Sequence, residues 1–435
     1  MPPPPPVPPL PPSPQNSPSV ALQPTITSMR AFRGKTAFSD EKLRSHLRSL
    51  LRLDNVGVLL GSGASAGGLG GLTMKQLWVK FVERRPQSLQ WLQVNAFLPS
   101  DRAFIPNIED LSDTLEIARA EWTRSGHTQT RELATVIADV QREVISAARL
   151  NEGCWSNPEQ IINQPAELAN HIAMLRKLCG SRQPAQPAPW VFTTNYDLAP
   201  EWAAEAIGLK YINGFDGLHY RAFAPHNFDL GYRNVLARGE ARFGTYNFYL
   251  AKLHGSLTWL RRGDEIVEAP SQVINSQITQ FIGGQSNVAP ALVFPTGAKY
   301  QQTVGFLLGE LFRRFTEFLS RPHTCIITCG YSFSDAHINR LLLTALQNPT
   351  LQLVIYAPET SVSGETLDSS GAAQWVQRLA SLYLGQVTIV GGKEAAYFDR
   401  FSTDLPDPAV FDEDSEEARK SLQTLAREFR GNDAP

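Results

Sequence analysis

Short, continuously apolar runs alternate along this chain with stretches whose apolar positions recur every three to four residues. The runs at 56–60, 190–194, 248–253, 291–294, 324–328, 351–356 and 387–390 read as buried strands. Amphipathic stretches at 306–319, 338–346 and 375–384 separate several of them. A helix over 73–85 carries Met74, Leu77, Trp78, Phe81 and Val82 on one face, and Thr73 and Gln76 stand at capping-box spacing at its start. From about 105 to 180 the pattern is helical throughout, as in Leu133, Val136, Ile137, Val140 and Val144, and predicts a helical insertion module. Strands apolar along their whole length, alternating with helices, predict an α/β fold: a Rossmann-like parallel sheet covered on both faces. Ligands of such sheets bind at the carboxyl ends of the strands, so chemistry is to be sought just after each run.

Composition fits this picture. The chain has 435 residues, 42% apolar and 19% charged, enough for one large domain with insertions or two ordinary ones. A net charge of −2 supplies no basic field for nucleic acid or an anionic membrane. Arg261-Arg262 and Arg313-Arg314 read as solvated pairs, and no sequence-specific nucleic-acid binding is expected. No apolar run approaches the roughly 20 residues of a membrane span, and the start of the chain lacks the order of a secretory signal, so a cytoplasmic protein is expected. Residues 1–30 form a proline-rich head, with Pro2 to Pro6 followed by Pro8, Pro9, Pro11 and Pro12, and are expected to be extended or disordered. Residues 406–435 read as an acidic tail carrying Asp412, Glu413, Asp414, Glu416 and Glu417, which leaves 31–405 as the main domain. Cys154, Cys179, Cys325 and Cys329 form no C-x-x-C pair, so no structural zinc and no disulfide framework are expected.

The ends of the strands carry the candidate chemistry. The first delivers Gly61-Ser62-Gly63-Ala64-Ser65-Ala66, a G-x-G-x-x-A pattern that lets backbone approach a pyrophosphate at a helix N-terminus. Glycines also make ordinary strand–helix turns, and no acidic residue closes a following strand as a dehydrogenase would require. The second delivers Thr194-Asn195-Tyr196-Asp197: either a turn that caps the next helix, or an amide and a carboxylate aimed into the crevice of the glycine loop. The third ends in His254-Gly255-Ser256, where an imidazole is placed for acid–base work near neutral pH or serves structure alone. A later strand leads into Gly330-Tyr331-Ser332-Phe333-Ser334-Asp335, whose hydroxyls suit ribose contacts; Ser334 or Asp335 equally suits a plain N-cap.

In this order, each at a strand end, these segments resemble the sirtuin-like NAD-binding family, and more closely its bacterial branch of NAD⁺-consuming effectors in anti-phage defence. Asn107-Ile108-Glu109-Asp110-Leu111 is similar to a segment that this branch carries in its helical module. The resemblance covers about 50–400. It implies that Gly61, Ser62, Gly63 and Ser65 lie around the pyrophosphate of the dinucleotide, with Thr194 and Asp335 as further cofactor-binding residues. It further implies that Asn195 orients the nicotinamide ribose and the attacking water, that Asp197 supports the pocket, and that His254 is the base. Gly330 and Ser332 would face the adenosine side. Two features of a deacylating sirtuin are missing: four paired zinc cysteines after the histidine, and a Pro-Asp-Phe-Arg segment, whose place reads Gly67-Gly68-Leu69-Gly70-Gly71-Leu72. The resemblance therefore implies hydrolysis of NAD⁺ as substrate, without metal, giving nicotinamide and ADP-ribose through an oxocarbenium-like transition state. It also implies control by homo-oligomer assembly or by a HerA-type ATPase partner. A non-catalytic NAD⁺ or ADP-ribose sensor gating a partner is the alternative, and a protein deacylase the third reading.

Overall fold

The computed structural model describes residues 29–411, apart from 67, 100–105, 107, 151, 164–165, 184–185, 233–246, 263–264, 287–297, 364–365 and 383. The proline-rich head through residue 28, the acidic run from 412, the expected strand at 291–294 and Asn107 lie outside the described residues.

Nine strands form the main sheet: β1 (Met29–Arg33), β2 (Thr36–Ser39), β3 (Asn55–Leu60), β4 (Trp190–Thr193), β5 (Lys210–Ile212), β6 (Asn247–Lys252), β7 (Thr324–Cys329), β8 (Gln352–Tyr356) and β9 (Val387–Val390). Their order is β2-β1-β9-β8-β7-β3-β4-β6-β5. All pairings from β9 to β5 are parallel, whereas β1 pairs antiparallel with both β9 and β2. The fold is the expected α/β class with a Rossmann-like, mostly parallel sheet flanked by helices; the first hairpin adds an antiparallel pair on one edge and makes the sheet mixed.

Both faces are buried, as continuous apolar strands require. Alternate residues of β3 feed opposite cores: Val56, Val58 and Leu60 on one side, Leu59 on the other. The helices Asp40–Leu51, Ala169–Gly180 and Ala199–Ala206 bury leucines, alanines and Trp202 on the first face. The helices Ala298–Ser320, Ala336–Ala345 and Gln374–Ser381 contribute Phe315, Phe318, Ile338 and Val376 to the second.

The region 105–180 is mainly helical, but it does not act as one block. The helices Ile108–Ser125 and Thr130–Ala148 pack on each other, and the second also packs on the helices Met74–Arg84, Pro86–Val94 and Ser271–Ile282. The helix Ala169–Gly180 instead packs on the helices Ala199–Ala206 and Phe398–Asp404. A four-stranded antiparallel sheet, ordered Phe215–Asp216, Arg221–Phe223, Glu265–Glu268 and Trp259–Arg262, was not expected from the apolar pattern.

The capping box is present: the Gln76 amide donates to Thr73 Oγ1 at 3.4 Å, and the Thr73 amide to Gln76 Oε1 at 2.9 Å. Thr73→Ala removes one of these acceptors and is expected to lower stability by about 1 kcal/mol, checked by denaturant melts. Among the described residues, no helix is long and apolar enough to cross a membrane.

Candidate active site

From β3 the chain passes to β4 on one side of the sheet, and from β6 it returns to β7 on the other side of β3. The carboxyl end of β3 is therefore a topological switch point, where open α/β sheets form their ligand crevice. A cleft opens there, lined by the residues that follow the strands. Its polar side carries Gly61, Ser62, Ser65, Thr194, Asn195, Asp197, His254, Ser332, Ser334 and Asp335, drawn from the ends of four strands.

Gly63 and Gly330 play a different part from the one expected of them. The Gly61 amide donates to the Cys329 carbonyl at 3.1 Å and the Gly63 amide to the Gly330 carbonyl at 3.0 Å, so the turns after β3 and β7 are zipped together. A Cβ on Gly63 would lie 2.7 Å from Gly330 Cα, and one on Gly330 would lie 2.6 Å from the Gly63 carbonyl carbon. Gly330 also has φ +66°, in the left-handed region. These two glycines, and Gly61, whose added Cβ would lie 2.4 Å from the Gly330 carbonyl oxygen, allow backbone to pack against backbone behind the cleft, while Gly61, Ser62 and Ser65 line it.

Asn195, Ser65 and Asp197 form a relay beneath the glycine turn. Asn195 Nδ2 donates to the Gly61 carbonyl at 3.0 Å and to Ser65 Oγ at 3.2 Å. Ser65 Oγ donates to Asp197 Oδ2 at 2.7 Å. Because a carbonyl only accepts, the contact with Gly61 fixes which Asn195 atom is nitrogen, and Oδ1 is left as the acceptor of the amide. Asp197 is buried, and its Oδ1 accepts the Ala199 amide at 3.0 Å. The turn leads directly into the helix Ala199–Ala206, whose N-cap is Leu198 without a side-chain capping bond, and it braces the cleft.

His254 Nε2 and Asp335 Oδ2 are 2.9 Å apart. Asp335 Oδ1 accepts the amides of His337 at 2.7 Å and Ile338 at 3.0 Å, capping the helix Ala336–Ala345. Burial pushes the Asp335 carboxyl up, but the hydrogen bonds from His254 and these two amides, with the His254 charge, outweigh it and hold it below its ordinary value. Asp335 is therefore ionised at neutral pH and accepts from Nε2–H, so the basic nitrogen of the neutral ring is Nδ1. With the folded pKa depressed, the carboxylate's contribution to stability is full above the unfolded carboxylate range and is lost as pH falls through the lowered value. Asp335→Asn keeps a capping oxygen but loses the charge. It is expected to be less stable than the unmutated protein near neutrality and to converge with it in acid, in urea melts at both conditions.

The opposite wall is apolar and was not foreseen: Leu72, Met74, Leu77, Ile108, Val144 and Leu150, with Ala147 and Ala148. These come from the loop after the glycine turn, from the helix Met74–Arg84 and from the helical module. Ile108 belongs to the Asn107–Leu111 segment singled out by resemblance. Two non-glycine residues near the cleft have positive φ: Leu150 at +56°, and Phe333 at +56°, whose carbonyl accepts Asn339 Nδ2 at 2.8 Å. Such strained positions persist only where surrounding contacts over-determine them.

The four cysteines lie in separate helices and along β7, all buried. Burial pushes the thiols of Cys179 and Cys325 up to about 12, which opposes the thiolate form a metal would need. Among the described residues, no three His, Cys, Asp or Glu side chains converge as a metal-binding group.

A family model for the SIR2-like domain matches residues 189–374. This supports a sirtuin-like family for the region from β4 to the start of the helix Gln374–Ser381, and is compatible with NAD-related activity. The matched span holds Asn195, Asp197, His254, Ser332 and Asp335, whereas the glycine turn lies before it. No curated protein matches the chain.

Proposed function

We propose that the protein is an NAD⁺ hydrolase that cleaves the nicotinamide–ribose bond with water. The observation that carries this reading is the convergence of Asn195 and His254 on the cleft that also exposes the Gly61–Ser62 turn. Backbone and hydroxyls of that turn suit a pyrophosphate, and Ser332 and Ser334 on the far rim suit ribose hydroxyls. The apolar wall excludes bulk water from the bond to be broken.

The site residues divide the work. With its amide nitrogen spent on the glycine turn, Asn195 offers Oδ1 to accept a hydrogen from the attacking water and so aim it at the ribose carbon. The carbon–nitrogen bond breaks with its electron pair moving to nicotinamide, the water oxygen adds to the ribose carbon, and the released proton passes to His254 Nδ1. Asp335 holds the imidazole in that tautomer and balances its charge, as a third group does behind other bases. General-base assistance of this kind contributes about 10²–10⁴ in rate. Resemblance to the defence branch supports a role as an effector that depletes NAD⁺ on phage infection. Such an activity needs restraint, by assembly into homo-oligomers or by a HerA-type ATPase.

The engagement of Asn195 Nδ2 and His254 Nε2 by protein acceptors favours one second reading, an NAD⁺ or ADP-ribose sensor in which both side chains serve binding alone. Incubating the purified protein with NAD⁺, alone and with candidate partners, separates the two. Nicotinamide release supports the hydrolase; tight binding without release under every condition supports the sensor.

A further inference from the structure

Lys252 ends β6, in a run of otherwise apolar residues. Phe248 and Leu250, four and two residues earlier on the same side of the strand, enter the core beneath the helix Ala199–Ala206. Lys252 follows them inward and is 3% exposed. An ammonium at such a position is costly to desolvate, and an apolar residue of similar volume often serves stability as well or better.

What the ammonium does there is join three segments. Nζ donates to the Asp197 carbonyl, to Ser256 Oγ at 3.3 Å, and pairs with Glu201 Oε1 at 2.8 Å. The ammonium thus has two hydrogen-bond acceptors and one counter-charge, each on a different segment. Asp197 lies two residues past Asn195, Ser256 lies two past His254, and Glu201 stands on the helix Ala199–Ala206, whose first amide Asp197 accepts. Backbone bonds knit the same turns from above: Leu253 to the Thr193 carbonyl at 2.8 Å and Leu257 to the Tyr196 carbonyl at 3.0 Å. Burial pushes the Glu201 carboxyl up to about 7 even against the attraction of Lys252, which shows how poorly this location suits charge.

We propose that Lys252 is a positioning residue: one buried ammonium, with Glu201 as its counter-charge, holds the turn bearing Asn195 and the turn bearing His254 in a fixed mutual register. Its effect on turnover rests on the NAD⁺-hydrolase reading; its effect on the geometry of His254 does not.

Removing Lys252 alone would leave Glu201 buried and unpaired, so loss of activity would be confounded with loss of folding. The decisive protein is the double variant Lys252→Met with Glu201→Leu, which replaces the ion pair by apolar volume. Expected are a denaturant midpoint close to that of the unmutated protein and NAD⁺ affinity within about threefold. The kcat should nevertheless fall about 10²-fold, the effect of misplacing a reacting group by about 1 Å. The imidazole NMR signal of His254, identified by its disappearance in His254→Ala, should also move in the double variant. A stable double variant with unchanged kcat and an unmoved His254 signal overturns the proposal. Should that protein fail to fold, Ser256→Ala, which removes one acceptor of Nζ together with the hydroxyl's bonds to Thr258, is expected to lower kcat about tenfold and shift the same signal. Thr258→Val is the control that leaves the Lys252 contact in place. No change in either measurement overturns the proposal equally. If the unmutated protein releases no nicotinamide, that result counts against the hydrolase reading, and the His254 signal still decides the role of Lys252.

Discussion

Replacing His254 by alanine is expected to lower nicotinamide release about 10²-fold or more, roughly 2.7 kcal/mol in the barrier, while NAD⁺ stays bound. The ring is held by Asp335, so its loss removes a proton acceptor and leaves the dinucleotide-facing backbone in place. Asn195→Ala should lose as much rate but behave differently in binding. Its Nδ2 holds both the Gly61 carbonyl and Ser65 Oγ, and without it the relay to Asp197 is broken. A weakened affinity is therefore expected for Asn195→Ala and not for His254→Ala, measured by calorimetric titration beside the rate assay. Near-normal hydrolysis by both proteins would remove the mechanism even with the fold intact.

Gly330→Val is expected to cost about 3 kcal/mol or more of stability, because strained φ and a backbone collision add at one residue. Gly330 has φ +66°, and its added Cβ would press on the Gly63 carbonyl carbon at 2.6 Å. Gly63→Val meets the same contact from the other side, 2.7 Å from Gly330 Cα, and should also open the paired turns. Either change would weaken NAD⁺ binding by distorting the turn, not by filling the ligand's place. Ser62→Val is the contrast: Ser62 is exposed in the cleft, so it should weaken NAD⁺ binding with little change in the melt. A Gly63→Val protein that melts like the unmutated one would show that the turns do not depend on this packing.

The parallel strands and the residues at their ends were legible because a strand buried on both faces leaves an unmistakable apolar run, and its end is where polar residues resume. β3, β4, β6, β7, β8 and β9 were read within a residue or two on this basis. The edge hairpin was not. β1 and β2 are short, their apolar residues are interrupted by Arg30, Arg33 and Thr36, and Arg30 is buried through its ion pair with Asp404, almost the whole chain away. Local pattern cannot announce a partner at that separation. The short strands around Arg221–Phe223 and Glu265–Glu268 escaped for a similar reason: Glu268 is buried against Asn213 and Arg221, so a charge occupies what would otherwise be an apolar position.

In the site, resemblance named residues whose individual roles the structure redistributes. Gly63 and Gly330 face each other, and Asp335 both caps a helix and holds His254. The apolar wall from Met74, Val144 and Ala148 was hidden because amphipathic periodicity reports that a face is buried, not whether it meets another helix or a cleft. Lys252 did leave a signal, a lone cation closing the run Tyr249-Leu250-Ala251, yet its meaning depends on Glu201 and Asp197 meeting it from another segment.

The central claim is that this cleft breaks the nicotinamide–ribose bond of NAD⁺. The most direct measurement is the release of nicotinamide from NAD⁺ by the purified full-length protein, followed chromatographically, with His254→Ala run in parallel. Equimolar nicotinamide and ADP-ribose from the unmutated protein, falling about 10²-fold or more in His254→Ala, is the predicted result. NAD⁺ bound but recovered intact, in every assembly state and with every partner supplied, would contradict it.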